Sequence, residues 1–149
     1  AASGGAGRLK AELAQNENAL NVLLFHGGNE WTWQPDEATR RLYTELARSG
    51  ADLLIGSHPH TTQGFEWIEG KPVFWSLGNF VFAGMDGTDG GEAGLLIRLG
   101  YAGKTLLYFE PVPVQLAGPR SDVGPAEQLQ RFYTLSRELD TYHDSTIIR

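Results

Sequence analysis

The pattern of apolar and polar residues predicts a strand, a helix and a second strand in the first half of the chain. Two short, largely apolar runs, Val22–Phe25 and Asp52–Ile55, have the length and composition of buried strands. Between them, Pro-Asp-Glu at residues 35–37 is typical of a helix start, and Gly50 marks the helix end. Such a βαβ unit normally has parallel strands joined by a right-handed connection. We therefore expect an α/β fold.

Two β-hairpins are predicted beyond the βαβ unit. Residues 65–68 and 73–76 are rich in aromatic and β-branched side chains and flank a Glu-Gly-Lys-Pro turn. Residues 95–99 and 105–109 flank a second turn, which contains a glycine. After these runs, prolines predict an extended edge and a connecting loop: Pro111, Pro113 and Pro119.

Amphipathic patterns predict a further helix near each end of the chain. The small residues at positions 1–7 predict a flexible lead, and residues 8–15 carry apolar side chains four positions apart. The last helix is predicted from Pro125 to about Tyr142, and His143 is expected at the surface near its end. Residues 8–149 are predicted to belong to a single domain.

Composition limits the partners and the metal ligands that this chain can use. The chain has 18 acidic and 12 basic residues and a formal net charge of −6, without a basic run, so neither nucleic acid nor an anionic membrane surface is expected as a partner. Its apolar runs are all too short for a membrane span. Cysteine is absent, so any metal ion must be held by histidine, carboxylate, carbonyl or amide groups. Such ligands suit zinc, manganese or iron.

Three histidines follow the two strands of the predicted βαβ unit. His58 and His60 lie two positions apart just beyond the second strand, so their side chains point to the same side of the chain. They could both bind one metal ion, or each could bind one of two adjacent ions. His26 follows the first strand. Because the carboxyl ends of parallel strands meet at one edge of a sheet, we expect the three imidazoles to converge there.

Three motifs give the chain a resemblance to a known family. They are His-Gly-Gly-Asn-Glu-Trp at residues 26–31, Gly-Ala-Asp-Leu-Leu-Ile-Gly-Ser-His-Pro-His at residues 50–60, and Gly-Lys-Pro-Val-Phe-Trp-Ser-Leu-Gly-Asn-Phe at residues 70–80. In order and spacing they resemble the C-terminal half of the poly-γ-glutamate capsule-synthesis (CapA) family. The resemblance runs from about Leu9 to about Val114. It implies part of a calcineurin-like metallophosphoesterase fold, which is a four-layer α/β/β/α sandwich with a two-metal site.

The resemblance also implies metal-binding roles for the histidines. His26 and His58 match ligands of the second metal ion, and His60 matches a ligand of the first. The ions expected are divalent manganese, zinc or iron, two of them in the complete domain. The chain departs from the family pattern at Gly27, where a tryptophan is usual, and at Trp31, where a tyrosine is usual.

The N-terminal half of the family pattern, which would supply the acidic and amide ligands, is absent from this sequence. The chain is therefore expected to be the C-terminal portion of its domain, with the missing N-terminal half as its partner. The apolar strands Val22–Phe25 and Leu53–Ile55 predict cover on both faces, and we expect one face of their sheet to be left bare. The resemblance further implies a location outside the cytoplasm or at the membrane, through a segment absent here.

Two polar residues are candidate catalytic residues beside the histidines. Glu30 is interpreted either as a proton donor or support for a metal ligand, or as a solvated loop carboxylate. Asn79, in Leu-Gly-Asn-Phe, either orients a group of the site or forms a turn after glycine.

Two functions of different classes remain open. The first is hydrolysis or transfer at a phosphoester-like bond, where metal ions activate water and stabilise the developing charge. The second is a non-catalytic accessory module for assembly or export of an anionic capsule polymer. The substrate or partner is accordingly an anionic polymer or a phosphoester-like compound. The negative net charge argues mildly against direct binding of such a polymer.

Overall fold

A computed structural model of the chain describes residues 3–16, 18–84 and 88–139, with residues 3–6 described by their backbone only. It confirms the predicted α/β class. The elements in chain order are α1 (Ser3–Gln15), β1 (Val22–His26), α2 (Glu37–Arg48), β2 (Leu53–Ser57), β3 (Phe65–Ile68), β4 (Lys71–Phe74), β5 (Ala93–Ala102), β6 (Thr105–Ala117), β7 (Arg120–Val123) and α3 (Glu127–Glu138).

The predicted βαβ unit is confirmed as β1, α2 and β2. The two strands are parallel, with Val22 opposite Leu53 and the register continuing to the last residue of each strand. Helix α2 begins after Asp36, whose side chain accepts a hydrogen bond from the backbone N–H of Thr39 and so caps the helix. Next to β2 lies β4, also parallel, and β3 pairs antiparallel with β4 at the far edge, giving the order β1-β2-β4-β3.

The second sheet contains β5, β6 and β7 in antiparallel order. Both predicted hairpins are confirmed, although the second extends well beyond the predicted residues in both strands. Pro111 and Pro113 lie within β6, which is the middle strand. Because β7 pairs only with Val114–Ala117, β6 is bordered by one strand at both prolines. The prolines therefore occupy a local edge, where a missing N–H is tolerated.

Two apolar clusters cover the two faces of the first sheet. One face packs against α2 and α1, and its buried residues include Tyr43, Leu46, Ala47, Leu54, Val73 and Leu13. The other face packs against the second sheet and α3, and its buried residues include Leu53, Phe65, Phe74, Leu95, Phe109 and Phe132. Strands β2, β3 and β4 are thus covered on both sides, as continuous apolar strands require.

Strand β1 differs, because one of its faces is bare. Leu23 and Phe25 pack against the α2 side of the sheet. Val22 and Leu24 point to the other face and remain 46% and 77% exposed. The expectation of cover on both faces is therefore wrong for β1, and the expectation that one face of the first sheet is bare is correct at β1 alone. The second sheet covers β2 and β4 but does not reach β1.

The two terminal helices differ from the predicted bounds. Helix α1 begins at Ser3 instead of position 8, so residues 3–7 are helical and not a flexible lead. Leu13, only 6% exposed, anchors α1 to the core, and extending an anchored helix costs little free energy. Helix α3 is described up to Glu138. The backbone of Leu139 is extended and ends the helix, so the predicted continuation to about Tyr142 is wrong, whereas His143 lies outside the described residues.

Replacing Gly56 in β2 by alanine should destabilise the fold. A Cβ at this position would lie 1.9 Å from the carbonyl oxygen of Trp75 and 2.8 Å from the hydroxyl oxygen of Tyr43, so the backbone at Trp75 and the side chain of Tyr43 would have to move. We expect Gly56→Ala to lower the free energy of unfolding by about 3 kcal/mol. Urea denaturation of the full chain measures this.

The matched control is Gly7→Ala in α1. A Cβ at Gly7 would meet no atom within 4 Å. Alanine has the higher helix propensity, so this variant should be as stable as the parent or more stable by up to about 1 kcal/mol. An equal decrease in the free energy of unfolding in both variants would contradict the assigned role of Gly56.

Candidate metal centre

The three histidines converge at the carboxyl ends of β1 and β2, as predicted. His26 is the last residue of β1 and lies opposite Ser57, the last residue of β2, while His58 and His60 follow in the next loop. The ring centroids of His26 and His58 are 4.8 Å apart, and those of His58 and His60 are 5.9 Å apart. The parallel register brings together residues that are 32 positions or more apart in the sequence.

Backbone hydrogen bonds join the two loops that carry the histidines. Gly27 N–H donates to the carbonyl oxygen of Ser57 over 3.1 Å, and Trp31 N–H donates to that of Pro59 over 2.8 Å. Further along, the side chain of Gln63 donates to the carbonyl oxygen of Thr32 over 3.0 Å. The loops after β1 and β2 therefore form one connected unit around the imidazoles.

Three residues of this unit have strained backbones. Trp31, His58 and His60 have φ angles of 60°, 101° and 61°, and Glu69 is the one other described non-glycine residue with a positive φ. This region of φ disfavours residues with a Cβ and costs about 1–3 kcal/mol per residue. Such residues persist where the surrounding structure determines their conformation, and they cluster at functional sites.

One carboxylate lies with two of the histidines. Glu30, His58 and His60 each offer a ligand atom, and these atoms all lie within 4.8 Å of one another. Glu30 Oε1 is 3.8 Å from His58 Nε2, and the Glu30 side chain is 51% exposed. Two imidazoles and a carboxylate form a donor set that suits zinc, manganese or iron. These three residues could therefore hold one divalent ion, while His26 stands beside His58 but outside this group.

Asn79 positions His60. Its side chain is buried, and its Nδ2 group donates to the carbonyl oxygen of Gly91 over 2.7 Å, which turns Oδ1 towards His60. Oδ1 lies 2.8 Å from His60 Nδ1. Since an amide oxygen only accepts, Nδ1 must carry the hydrogen, and Nε2 keeps its lone pair for a ligand. Of the two interpretations of Asn79, its contacts favour the orienting role.

Sequence reasoning missed the partner of His26. His26 Nδ1 lies 3.0 Å from Ser57 Oγ, across the parallel pair of strands. Ser57 Oγ also donates a long hydrogen bond of 3.4 Å to the carbonyl oxygen of Phe25. With its hydrogen directed there, the serine oxygen can accept from His26 Nδ1–H. The available signal was the strand register, which places these two residues opposite each other.

Aromatic side chains form a wall beside His60. Trp31 stacks on the His60 ring at 5.3 Å and 24°, and Phe82 meets the same ring edge-on at 5.1 Å and 75°. Trp31 and Phe82 are 41% and 40% exposed. Trp31 is thus exposed at the site, whereas Trp75 is buried in the core. The wall restricts His60 and gives the centre an apolar border.

Comparison with known proteins assigns the family. Residues 2–84, more than half of the chain, match the family described as bacterial capsule synthesis protein PGA_cap. The chain belongs to this family. The match includes all three histidines, Glu30 and Asn79, and it agrees with the resemblance that the sequence motifs carry.

Two named relatives show how much of a full-length protein the aligned region of this chain covers. The PGA biosynthesis protein CapA of Bacillus subtilis (strain 168) is 39% identical over 69 residues, which are 46% of this chain and 18% of that protein. The capsule biosynthesis protein CapA of Bacillus anthracis is 38% identical over 74 residues, which are 49% of this chain and 18% of that protein. The aligned region thus spans less than a fifth of either relative. In the part of the chain that the structure describes, no helix is long and apolar enough to cross a membrane.

Removing the Asn79 side chain should change the tautomer of His60. With Oδ1 present, neutral His60 carries its hydrogen on Nδ1, whereas Asn79→Ala removes the acceptor and should shift the hydrogen towards Nε2. Long-range nitrogen–proton NMR spectra of the full chain at pH 8 distinguish the two tautomers.

The control for this experiment is Ser57→Ala, which removes the partner of His26 and leaves Asn79 in place. It should alter the His26 nitrogen signals and leave those of His60 unchanged. An Nε2–H tautomer of His60 in the parent chain would show that Asn79 does not have the positioning role.

Proposed function

We propose that this chain supplies the histidine ligands of a metal centre in a capsule or poly-γ-glutamate biosynthesis protein, and that the complete domain hydrolyses or transfers a phosphoester-like bond. The observation that carries the proposal is the group of Glu30, His58 and His60, whose ligand atoms lie within 4.8 Å of one another, with a strained backbone at both histidines. Backbone strain at the two histidines is costly for folding and is accounted for if their positions serve a ligand.

Each residue would have a distinct task in this centre. His58 and His60 would bind the first divalent ion, with Glu30 as its carboxylate ligand. This differs from the pairing of His58 with His26 that the family resemblance implies, because the ligand atom of His58 lies with those of Glu30 and His60. Asn79 would hold the His60 ring in the tautomer that binds metal. His26, 4.8 Å from His58 between ring centroids, would serve a second ion. When bound, such ions activate water and stabilise negative charge on a phosphoester-like group.

Charge balance supports the view that this centre is completed by another segment. Three neutral imidazoles and one carboxylate offset little of the charge of two divalent ions. The missing N-terminal half of the domain would supply the further carboxylates and would complete the four-layer sandwich. It would also cover Val22 and Leu24, which are 46% and 77% exposed in this chain. The relatives, more than 80% of which lies outside the aligned region, have room for such a segment and for one that places the protein outside the cytoplasm or at the membrane.

The alternative is a non-catalytic accessory module that assists assembly or export of an anionic capsule polymer. The observation that favours it is that the candidate group contains a single carboxylate among the described residues. A module that keeps the fold and the histidines without the second ion would bind one metal ion and lack hydrolase activity.

The full chain alone should bind one divalent ion. Calorimetric titration with Mn²⁺ or Zn²⁺ at pH 7.5 should give a stoichiometry near one, and Glu30→Gln should weaken binding by at least about ten-fold because it removes the charged ligand. The matched control is Glu110→Gln, since the Glu110 side chain is 53% exposed against 51% for Glu30 and pairs with Arg98 away from the histidines. Two tight sites, or equal weakening in both variants, would refute the proposed ligand set.

Catalysis is tested on a longer chain that includes the N-terminal half of the family pattern. It should hydrolyse a generic phosphodiester such as bis(p-nitrophenyl) phosphate only with added Mn²⁺ or Zn²⁺, and His58→Ala should reduce the rate by at least about a hundred-fold. Its melting temperature and metal stoichiometry should both exceed those of this chain. One bound ion without hydrolysis would instead favour the accessory module.

A further inference from the structure

A cavity bordered by charged side chains lies at the end of the first sheet opposite the histidines. It has a volume of about 480 Å³ and is bordered by α1, the end of α2 and the turn between β5 and β6. Asp52 precedes β2, and Lys71 is the first residue of β4. Because β2 and β4 are parallel, these residues mark the amino ends of the strands, whereas His58 and His60 follow their carboxyl ends.

The cavity is positively charged in a chain that is negative overall. Four of the chain's 12 basic side chains line it, against one acidic side chain among its described lining residues: Lys10, Arg48, Lys71 and Lys104 against Asp52. Just outside the lining, Glu45 pairs with Lys10 at 2.5 Å and Glu69 pairs with Arg48 at 2.7 Å. Counting all these groups, positive charge exceeds negative charge by one, and the excess lies at the lysines on the cavity floor.

The floor is organised around Asp52, whose side chain is 2% exposed. Lys71 Nζ lies 2.8 Å from Oδ1, Lys104 Nζ lies 2.8 Å from Oδ2, and the N–H of Asn21 donates to Oδ2 over 3.0 Å. Burial alone would raise the pKa of Asp52, but the hydrogen bonds from Lys104, Lys71 and Asn21 together outweigh it and lower the pKa below its usual value. Asp52 is therefore ionised at neutral pH, and both of its oxygens already interact with donors.

The two lysines keep donors that Asp52 does not use. An ammonium group carries three N–H donors, and each lysine directs one contact to Asp52. The side chains of Lys71 and Lys104 are 33% and 37% exposed, so their remaining donors are accessible from the cavity. Two ammonium groups held at a fixed separation by one buried carboxylate are suited to a doubly charged oxyanion, which has several acceptor oxygens.

We propose that this cavity is a binding site for a phosphate group, either free phosphate or the phosphate of a small ester. Lys71 and Lys104 bind its oxygens, and Lys10 and Arg48 complete the positive border. The volume exceeds what one phosphate ion fills, which leaves room for the organic part of an ester. The site uses none of the histidines and is independent of the metal centre.

The first test is titration of the full chain with inorganic phosphate at constant ionic strength, followed by amide NMR shifts. Saturable shifts are expected around Asn21, Gly50 and Lys71. Lys104→Gln should weaken binding at least ten-fold, and the fold should persist because Asp52 retains Lys71 and Asn21 as partners. The control is Arg98→Gln, which removes the same charge from the ion pair with Glu110 on the second sheet and should change the affinity by less than two-fold.

A second variant separates a binding site from a purely structural ion cluster. Asp52→Asn removes the negative charge from the floor, so phosphate should bind at least three-fold more tightly and should raise the melting temperature of this variant more than that of the parent. A structural cluster predicts lower stability that phosphate does not restore.

Two probes identify the ligand class: glycerol phosphate should bind at least as tightly as inorganic phosphate, and glutarate, a dicarboxylate of the same charge, should bind more weakly. Non-saturable shifts, equal weakening in Lys104→Gln and Arg98→Gln, or equal affinity for glutarate would overturn the proposal.

Discussion

The parallel register between β1 and β2 is the constraint on which the candidate metal centre depends. It sets His26 opposite Ser57 and continues directly into the loop that carries His58. Side chains alternate between the two faces of a strand, so a slip of one residue would turn His26 towards α2 and expose Phe25. The packing of Leu23 and Phe25 against the α2 side of the sheet prevents this slip. Burial of two apolar side chains therefore fixes the position of a polar one.

The second sheet stabilises the same centre from the other side. Asn79, which positions His60, lies in the segment between β4 and β5, and Leu95 N–H donates to the carbonyl oxygen of Leu77 over 2.7 Å. Gly94 approaches Asn79 so closely that a Cβ there would lie 1.9 Å from the Asn79 carbonyl oxygen. The start of β5 thus holds the Asn79 segment in place, and the orientation of His60 depends on how the two sheets pack.

Local signals in the sequence were sufficient for most of the fold. Apolar runs, helix-start residues and turn residues act over a few positions, which is why the βαβ unit, both hairpins and the convergence of the histidines could be predicted. Features that depend on distant partners could not. The burial of Tyr43 depends on its stacking with Trp75 at 4.8 Å, and the role of Asn79 depends on a histidine 19 positions earlier. The positive φ angle of His58 likewise follows from the loop as a whole, since sequence spacing carries no information on it.

The bare face of β1 and the candidate metal centre lie on the same side of the first sheet. Val22, Leu24 and His26 alternate with Leu23 and Phe25, so all three point to the same face of the first sheet, away from α2. Successive residues on one face of a strand are about 7 Å apart. Any segment that packs on Leu24, which is 77% exposed, therefore lies within a side-chain length of His26. Apolar cover for this strand and additional ligands for the histidines would consequently come from the same segment, because a carboxylate carried on that cover is already within reach of the imidazoles.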